Sequence, residues 1–162
     1  MIQQIYSGYG SLGKLSEILH DCSPNRILLV AGKKSYSDSG AEKLIGRILS
    51  QYSYDRFSEF ENNVKINDLK RGIEIFLSGK FDFIVGIGGG SVIDMAKAIS
   101  ILVNQKNSPE EIIKGIAKPS VRQVPTIIIP TTAGTGSEST KFSVVYIDKI
   151  KYSLAHDSLI PD

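Results

Sequence analysis

Residues 81–97, FDFIVGIGGGSVIDMAK, place three consecutive glycines between an apolar strand and an apolar helix. The segment FDFIVGI at 81–87 is predominantly apolar and is predicted to be a strand. The segment VIDMAKAISILVN at 92–104 has few polar positions, so we predict a helix that is buried nearly all round. The glycines therefore predict a tight connection at the carboxyl end of a buried strand.

Apolar strands alternate with amphipathic helices along the rest of the chain. Strands are predicted at 26–31 and 125–130, and helices at 39–52 and 68–79. This alternation favours an α/β fold of the Rossmann-like, doubly wound type, in which a mostly parallel sheet carries helices on both faces. The length of 162 residues fits one domain.

The glycine turn is suited to binding an anionic ligand. In open α/β sheets, ligands bind beyond the carboxyl ends of the strands. We expect Gly88, Gly89 and Gly90 to adopt left-handed conformations and to let a ligand approach the backbone, while the first amides of the next helix point at a phosphate or pyrophosphate. Ser91 either caps that helix or donates its hydroxyl to the same phosphate. Asp94 and Lys97 lie on one face of the helix, and are either a solvated pair or part of the site.

A second stretch of small and hydroxyl residues follows the strand at 125–130. It is PTTAGTGSE at 130–138, which supplies hydroxyls for ribose or phosphate oxygens and leaves room for a ligand. The alternative is an ordinary Ser/Thr turn on the surface. Because both stretches follow strands of the predicted sheet, we expect the two loops to meet at one edge.

Composition and charge exclude several function classes. The chain has 19 basic and 17 acidic residues, a net charge of +2, and no basic stripe, so nucleic acid is not an expected partner. Cys22 is the single cysteine, which excludes an internal disulfide and a thiolate metal cluster within the chain. The start, MIQQIYSGYG, does not have the pattern of a signal peptide, and no apolar run reaches the ~20 residues of a membrane helix. A cytoplasmic protein without membrane association is expected.

GGGSVIDMAK followed by PTTAGTGSE resembles the paired signatures of the iron-dependent, or group III, alcohol dehydrogenases. That family shares a fold with glycerol dehydrogenase and dehydroquinate synthase. The resemblance covers essentially the whole chain, and implies that residues 1–162 form the N-terminal dinucleotide-binding domain of a two-domain enzyme. Such an enzyme transfers hydride between the nicotinamide of NAD or NADP and a primary alcohol or aldehyde.

The resemblance also implies roles for individual residues. The glycines and Ser91 would hold the pyrophosphate, the threonines would line the groove towards ribose and nicotinamide, and Asn63 would approach the adenosine side. The predicted cofactor-binding residues are Gly32, Asn63, Gly88, Gly89, Gly90, Ser91, Asp94, Thr131, Thr132, Thr135, Phe142, Tyr146 and Lys151.

The sequence departs from the family pattern at two positions. Val64 replaces the proline that usually follows the asparagine at position 63. Gly32 stands where many NAD-dependent members have an aspartate that would repel a 2′-phosphate, and Lys33 and Lys34 follow it. Without the carboxylate, and with lysines beside the site, we expect NADPH to be accepted.

The family binds iron or another divalent metal through one aspartate and three histidines of a C-terminal helical domain. This chain has only His20 and His156, neither in a helical metal-binding pattern. His20 is expected at the end of a short surface helix, and His156 in a solvated loop pair with Asp157. No catalytic residue and no metal ligand is therefore predicted here. The chain is expected to represent only the cofactor half of the family and to be inactive by itself.

Two other functions remain open from the sequence. One keeps the fold with different chemistry, as in glycerol dehydrogenase or a dehydroquinate synthase-like enzyme. The other is a shortened, non-catalytic nucleotide-binding module. A homodimer is also possible, with QQIY at 3–6 as an edge strand available for pairing, although an ordinary covered edge is an equal alternative.

Overall fold

The computed structural model describes residues 3–162. Its main feature is a four-stranded parallel sheet with the order β2-β1-β3-β4. The strands are β1 (Ile27–Ala31), β2 (Tyr54–Phe57), β3 (Phe83–Gly88) and β4 (Thr126–Pro130). The predicted strands at 26–31, 81–87 and 125–130 are confirmed to within about two residues.

Six α-helices are present among the described residues. They are α1 (Lys14–Cys22), α2 (Ser35–Asp38), α3 (Ala41–Leu49), α4 (Ile66–Ser78), α5 (Gly90–Leu102) and α6 (Pro109–Ile113). The predicted helix at 92–104 corresponds to α5, which begins two residues earlier because Gly90 and Ser91 are already helical. No helix within residues 3–162 is long and apolar enough to cross a membrane.

Two apolar layers cover the two faces of the sheet, as the alternation of strands and helices predicts. Leu28 and Val30 of β1 pack into the layer formed with α4 and α5. Leu29 and Ala31 of the same strand point to the opposite face, towards α1 and α3. All five residues of β1 are buried, which explains why the strand is apolar throughout rather than alternating.

Helix α5 packs very close to β3 through small residues. A Cβ atom on Gly86 would lie 2.8 Å from the Cβ of Ala96 and 2.7 Å from Cδ1 of Ile128. Nearly the whole surface of α5 is covered, as predicted, with only its first turn and Asp94 partly accessible. The glycine turn is thus fixed at the carboxyl edge of the sheet by a deeply buried helix.

An antiparallel hairpin lies beside the parallel sheet, and the sequence did not predict it. It consists of β5 (Phe142–Ile147) and β6 (Ile150–Ala155), and its Val145 packs against the α4–α5 layer. The connecting residues Asp148 and Lys149 have φ angles of 48° and 68°, the conformation of a two-residue hairpin turn. Such turns usually contain Asn-Gly or Asp-Gly, so Asp-Lys gives a weak signal.

The predicted edge strand at 3–6 is not present. Residues 3–7 have no regular secondary structure, and Gln3 donates a hydrogen bond from Nε2 to the carbonyl of Glu138 at 2.7 Å. The segment is therefore held by a side-chain contact instead of a ladder of backbone hydrogen bonds. Ile5 and Tyr6 are exposed.

Candidate functional site

The glycine turn at 88–90 and the loop at 130–138, called the threonine loop here, lie side by side at the carboxyl edge of the sheet. Strands β3 and β4 are neighbours, with Gly88 opposite Pro130, and the amide of Thr131 donates to the carbonyl of Gly88 at 3.0 Å. A Cβ atom on Gly89 would lie 3.1 Å from Oγ1 of Thr132, and one on Gly90 would lie 3.4 Å from Cγ2 of Thr135. The two loops therefore face each other in close contact across the mouth of α5, as their positions in the sequence suggest, and the space that they bound is called the groove below.

The glycines provide space rather than left-handed turns, which corrects the sequence prediction. Gly89 precedes α5 with φ −84° and ψ −174°, an extended conformation open to any residue, and Gly90 is the first helical residue. Gly88 has a φ of 159°, which is nearly extended. A Cβ atom on Gly88 would lie only 2.6 Å from Cγ2 of Val92. The bare backbone lets the strand turn tightly into the helix and leaves the groove open.

The first amides of α5 point out of the helix without a partner. Val92 and Ile93 both donate to the carbonyl of Gly89, at 3.0 and 3.1 Å. Within residues 3–162, no hydrogen-bond acceptor lies within reach of the amides of Gly90 and Ser91. These two donors, together with the positive end of the dipole of a 13-residue helix, are suited to an anion.

Ser91 does not cap the helix, which corrects one of the two predicted roles. Its side chain makes no cap hydrogen bond; instead Oγ accepts a hydrogen bond from the amide of Asn63 at 3.0 Å. Asn63 has a left-handed φ of 61°, a conformation that asparagine adopts more readily than most residues. The contact brings the loop before α4 to the mouth of α5.

A cleft of about 210 Å³ opens beside this contact. Four segments of the chain form it: the loop before α4, the first turn of α5, and the two strands of the hairpin. Its lining residues are Asn63, Val64, Gly90, Ser91, Asp94, Val144, Tyr146 and Lys151.

The cleft brings together several predicted residues that are distant in sequence, namely Asn63, Gly90, Ser91, Asp94, Tyr146 and Lys151. The hairpin reaches the cleft because the amide of Tyr146 donates to the carbonyl of Val64 at 2.8 Å. Other predicted residues lie outside its wall. Gly89, Thr132 and Thr135 line the adjoining groove, and Phe142 is exposed at the start of β5.

Asp94 forms the floor of the cleft and links α5 to the hairpin. Its Oδ2 accepts a hydrogen bond from the amide of Val144 at 3.3 Å, and its carbonyl accepts one from Oγ of Ser143 at 2.9 Å. Burial raises the pKa of the Asp94 carboxyl, against the opposing effects of the Val144 amide and of Lys97 and Lys151. Asp94 is therefore neither fully solvated nor ion-paired.

Lys97 is not a solvated partner of Asp94, which corrects one of the two predicted alternatives. Its side chain is buried, and the residue is 1% exposed. The ammonium donates to the carbonyls of Ser137, Thr140 and Phe142 at 2.7, 2.6 and 2.7 Å. Burial lowers the pKa of Lys97 to about 8. Sequence reasoning could not detect this arrangement, because the three acceptors are backbone atoms.

Gly32 lies at the end of β1, at the far side of the sheet edge from the threonine loop. Nη2 of Arg56, on β2, donates to the carbonyls of Gly32 and Lys33 at 2.6 and 3.0 Å, and its guanidinium stacks 4.8 Å from the ring centre of Tyr36. Lys33 forms an ion pair with Glu59 at 2.8 Å. Sequence reasoning missed Arg56, which a strand position alone does not distinguish from a surface arginine.

The two histidines lie in separate parts of the protein. His20 is exposed near the end of α1, and His156 caps the short 3-10 turn Asp157–Leu159 by accepting the amide of Ser158 on Nδ1 at 3.1 Å. The predicted pair of His156 with Asp157 is wrong, since Asp157 pairs with Lys141 at 3.1 Å. In the part of the chain that the structure describes, no three His, Cys, Asp or Glu side chains gather as metal ligands.

Known proteins resemble this chain in both sequence and fold. The family model described as iron-containing alcohol dehydrogenase matches residues 3–162. A long-chain primary alcohol dehydrogenase, AdhA, of Thermoanaerobacter ethanolicus is 32% identical over 165 residues, which cover 96% of this chain and 41% of that enzyme. An NADPH-dependent butanol dehydrogenase of Clostridium saccharobutylicum is 31% identical over 166 residues, which cover 99% of this chain and 42% of that enzyme.

A solved structure extends the likeness to three dimensions. Sulfoacetaldehyde reductase from Bifidobacterium kashiwanohense, in complex with NAD+, matches with a TM-score of 0.86 and 25% identity, over 100% of this chain and 45% of that one. The chain thus spans less than half the length of these relatives. Since the family model matches from residue 3 to residue 162, the chain belongs to the iron-containing alcohol dehydrogenase family.

Proposed function

We propose that this chain binds NAD or NADP as the cofactor-binding half of a metal-dependent alcohol dehydrogenase. One observation carries the proposal: the amides of Gly90 and Ser91, which have no hydrogen-bond partner, lie opposite the loop that contains Thr132 and Thr135. Two such walls at the carboxyl edge of a parallel sheet form a groove of the kind that dinucleotides occupy.

The pyrophosphate fits the mouth of α5. Two free amides and the helix dipole favour a doubly negative group there, and Gly89 and Gly90 leave the backbone accessible to it. The ammonium of Lys151, in the wall of the same cleft, adds a positive charge. We assign Gly88, Gly89, Gly90 and Ser91 to this part of the cofactor.

The nicotinamide half fits the adjoining groove and cleft. The hydroxyls of Thr131, Thr132 and Thr135 are available for ribose oxygens, and Tyr146 and Phe142 supply flat apolar surfaces beside them. Asp94 lies at the floor, with its pKa raised by burial. Asn63 extends the same wall towards the rest of the cofactor.

The adenosine end fits the end of β1, where Gly32 gives room to the hydroxyl of Ser35, whose Oγ would clash with a Cβ atom at position 32. Lys33 and Lys34 provide positive charge, and the carbonyl of Gly32 is fixed by Arg56. A 2′-phosphate meets no carboxylate at position 32, which supports the use of NADPH as well as NADH.

The complete reaction, in this proposal, is hydride transfer between the nicotinamide and a primary alcohol or aldehyde. A divalent metal, iron in most of the family, polarises the substrate oxygen when it is bound. No residue of the described range is assigned to that metal, because the acidic and histidine side chains there do not converge. The chain's own contribution is to bind and orient the dinucleotide.

Titration of the purified 162-residue chain with NADH and NADPH, followed by the fluorescence of the reduced nicotinamide, tests the proposal. We expect dissociation constants between about 1 µM and 1 mM, a range typical of cofactor and substrate affinities. ADP-ribose is expected to compete, since it carries the pyrophosphate without the nicotinamide. No saturable binding of either dinucleotide up to several millimolar would contradict the proposal.

A further inference from the structure

Lys97 places a positive charge inside the protein, where the chain wraps around it. Three carbonyl oxygens, of Ser137, Thr140 and Phe142, lie 2.6–2.7 Å from Nζ, and Oγ1 of Thr140 lies at 3.4 Å. The three strong acceptors match the three donors of an ammonium group. All three belong to the six residues 137–142, so one side chain fixes one short segment.

The segment 137–142 connects the groove to the cleft. It overlaps the end of the threonine loop at 130–138, whose Thr135 faces Gly90, and a Cβ atom on Gly90 would also lie 3.6 Å from Oγ of Ser137. It ends at β5, which carries Val144 and Tyr146 of the cleft wall. Lys97 and Gly90 lie about two turns apart on α5, so the same helix supports both sides of the groove.

We propose that Lys97 is a positioning residue for the dinucleotide: its ammonium group fixes the segment 137–142 and thereby sets the width of the groove between α5 and the threonine loop. This inference rests on the proposed function, but the loop order that it invokes exists without any cofactor. Lys97 itself does not touch the ligand, because its Nζ is enclosed by the protein's own carbonyls.

Only a protonated amine satisfies all three carbonyls. A neutral amine has two N–H donors and a lone pair that faces an acceptor, so deprotonation leaves one buried carbonyl without a partner. The pKa of Lys97 is lowered to about 8 by burial, so this change falls in an accessible pH range. Opening of the loop returns Lys97 to water, where its pKa is near 10.5, so by linkage the closed loop is favoured as the pH rises above about 8, although the neutral amine binds one carbonyl fewer.

The charged groups around Lys97 are few. The negative charges of Asp94, on the same helix, and of Glu138, on the facing turn, favour the protonated form of Lys97 and act to raise its pKa. The hairpin contributes Tyr146 and Lys151 at the cleft, and the outer turns contribute Lys141 and Asp157, which pair with each other. Strands β1, β3 and β4 carry no titratable side chain, and the residues of α4 buried towards α5 are apolar.

The first test replaces Lys97 by methionine, which keeps a long apolar stem and removes all three donors. The matched control is Lys43→Met on the exposed surface of α3. We expect Lys97→Met to raise the dissociation constant for NADH about tenfold, and the control to change it by less than about twofold. Hydrogen exchange of the cofactor-free proteins is expected to show lost protection at 137–142 in Lys97→Met alone. A folded Lys97→Met protein with unchanged affinity, or with unchanged protection of that segment, would overturn the inference.

A second test uses the unmodified chain, and decides the matter if Lys97→Met does not fold. Between pH 7 and pH 9.5 we expect protection factors at 137–142 to rise relative to those of β1 and β3, because the closed segment is favoured once its buried lysine loses its proton. In a folded Lys97→Met protein this pH step is expected to be missing, since the other titrating groups are shared. Protection at 137–142 that does not change with pH refutes the inference. If the unmodified chain binds no dinucleotide, the proposed function fails, and the exchange data still decide whether Lys97 fixes the loop.

Discussion

Gly89 and Thr132 face each other across the mouth of α5, so close that a single added methyl group would bring a carbon within 3.1 Å of the threonine Oγ1. Contacts of that length require the neighbour to move by a few tenths of an ångström. The backbone of Gly89, at φ −84°, accepts any residue. What the position requires is therefore room, and not an unusual backbone conformation.

Gly89→Ala tests this requirement directly. Because the backbone tolerates alanine, we expect the protein to fold with little change in stability, while the methyl group displaces Thr132 and occupies space at the helix mouth. The dissociation constant for NADH should rise about tenfold, as measured by nicotinamide fluorescence.

Gly46→Ala is the matched control for that experiment. Gly46 lies within α3 with no atom within 4 Å of an added Cβ, so alanine should stabilise the helix by about 0.5–1 kcal/mol without affecting the cofactor. Equal affinities of the Gly89→Ala and Gly46→Ala proteins would contradict the assignment of the groove.

Gly86→Ala is expected to affect stability instead of binding. A methyl group there meets the Cβ of Ala96 at 2.8 Å, which belongs to a buried helix that cannot withdraw. We expect a loss of about 1–3 kcal/mol in the free energy of unfolding, measured with urea. The double variant Gly86→Ala with Ala96→Gly should recover part of that loss, less the cost of a helical glycine of about 1 kcal/mol. A loss that the second substitution leaves unchanged would place the strain elsewhere.

The fold could be predicted from local patterns because the buried elements carry their own signal. The apolar run of β1 and the few polar positions of α5 each reflect burial on all sides, and these elements appear where predicted. The hairpin was missed because its Asp148-Lys149 turn lacks the glycine of the usual Asn-Gly and Asp-Gly turns. An edge strand at 3–6 was one of two alternatives from the sequence, but these residues form no strand, and Gln3 donates a side-chain hydrogen bond to the carbonyl of Glu138.

The candidate site could be predicted only where side chains or glycines mark it. The two loops were found because each follows a strand with small residues. The hydrogen-bond partners of Ser91 and Lys97 could not be predicted, since Oγ of Ser91 accepts from the amide of Asn63 and the ammonium of Lys97 donates to three carbonyls. Backbone partners that lie 28 to 45 residues away leave no trace in a single sequence.

The cofactor preference is expected to include NADPH. Lys33 lies next to Gly32, and its ammonium is paired with Glu59 at the exposed surface, where it remains accessible to a 2′-phosphate. We expect the affinities for NADH and NADPH to differ by less than about a hundredfold, and Lys33→Gln to weaken NADPH about threefold while NADH is unchanged. Lys43→Gln serves as the control. A preference for NADH of about a hundredfold or more would refute this prediction.

The ion pair between Arg122 and Asp162 allows a test of stability away from the groove. The Arg122 side chain is 3% exposed, and both of its terminal nitrogens donate to the Asp162 carboxylate at 2.7 Å. The same carboxylate accepts the amide of Thr126, at the start of β4, at 2.8 Å. Asp162→Ala should lower the free energy of unfolding by about 2–3 kcal/mol, because it leaves a buried guanidinium without its partner.

An exposed ion pair provides the comparison for Asp162→Ala. Asp157→Ala removes the contact with Lys141, where both side chains are at least half exposed, and should cost less than about 1 kcal/mol. Urea unfolding measures both variants under the same conditions. Equal losses in the two proteins would show that burial of Arg122 does not determine the effect.

Lys97 also gives the stability of the protein a distinctive dependence on pH. Its pKa in the folded protein is about 8, against 10.5 for the ordinary group, since burial disfavours the charged form. Between these values the unfolded chain binds a proton that the folded protein has released. The free energy of unfolding therefore rises with pH across this window, by at most about 1.4 kcal/mol per pH unit. Below about pH 8 Lys97 is charged in both states, and the cost of burying that charge lowers the free energy of unfolding by its full amount.

Urea unfolding of the unmodified and Lys97→Met proteins from pH 7 to pH 10 isolates this contribution, because all other titrating groups are common to both. We expect the stability of the unmodified protein to rise relative to that of Lys97→Met above about pH 8. A relative stability that is constant or falls with pH would show that burial does not lower the pKa of Lys97.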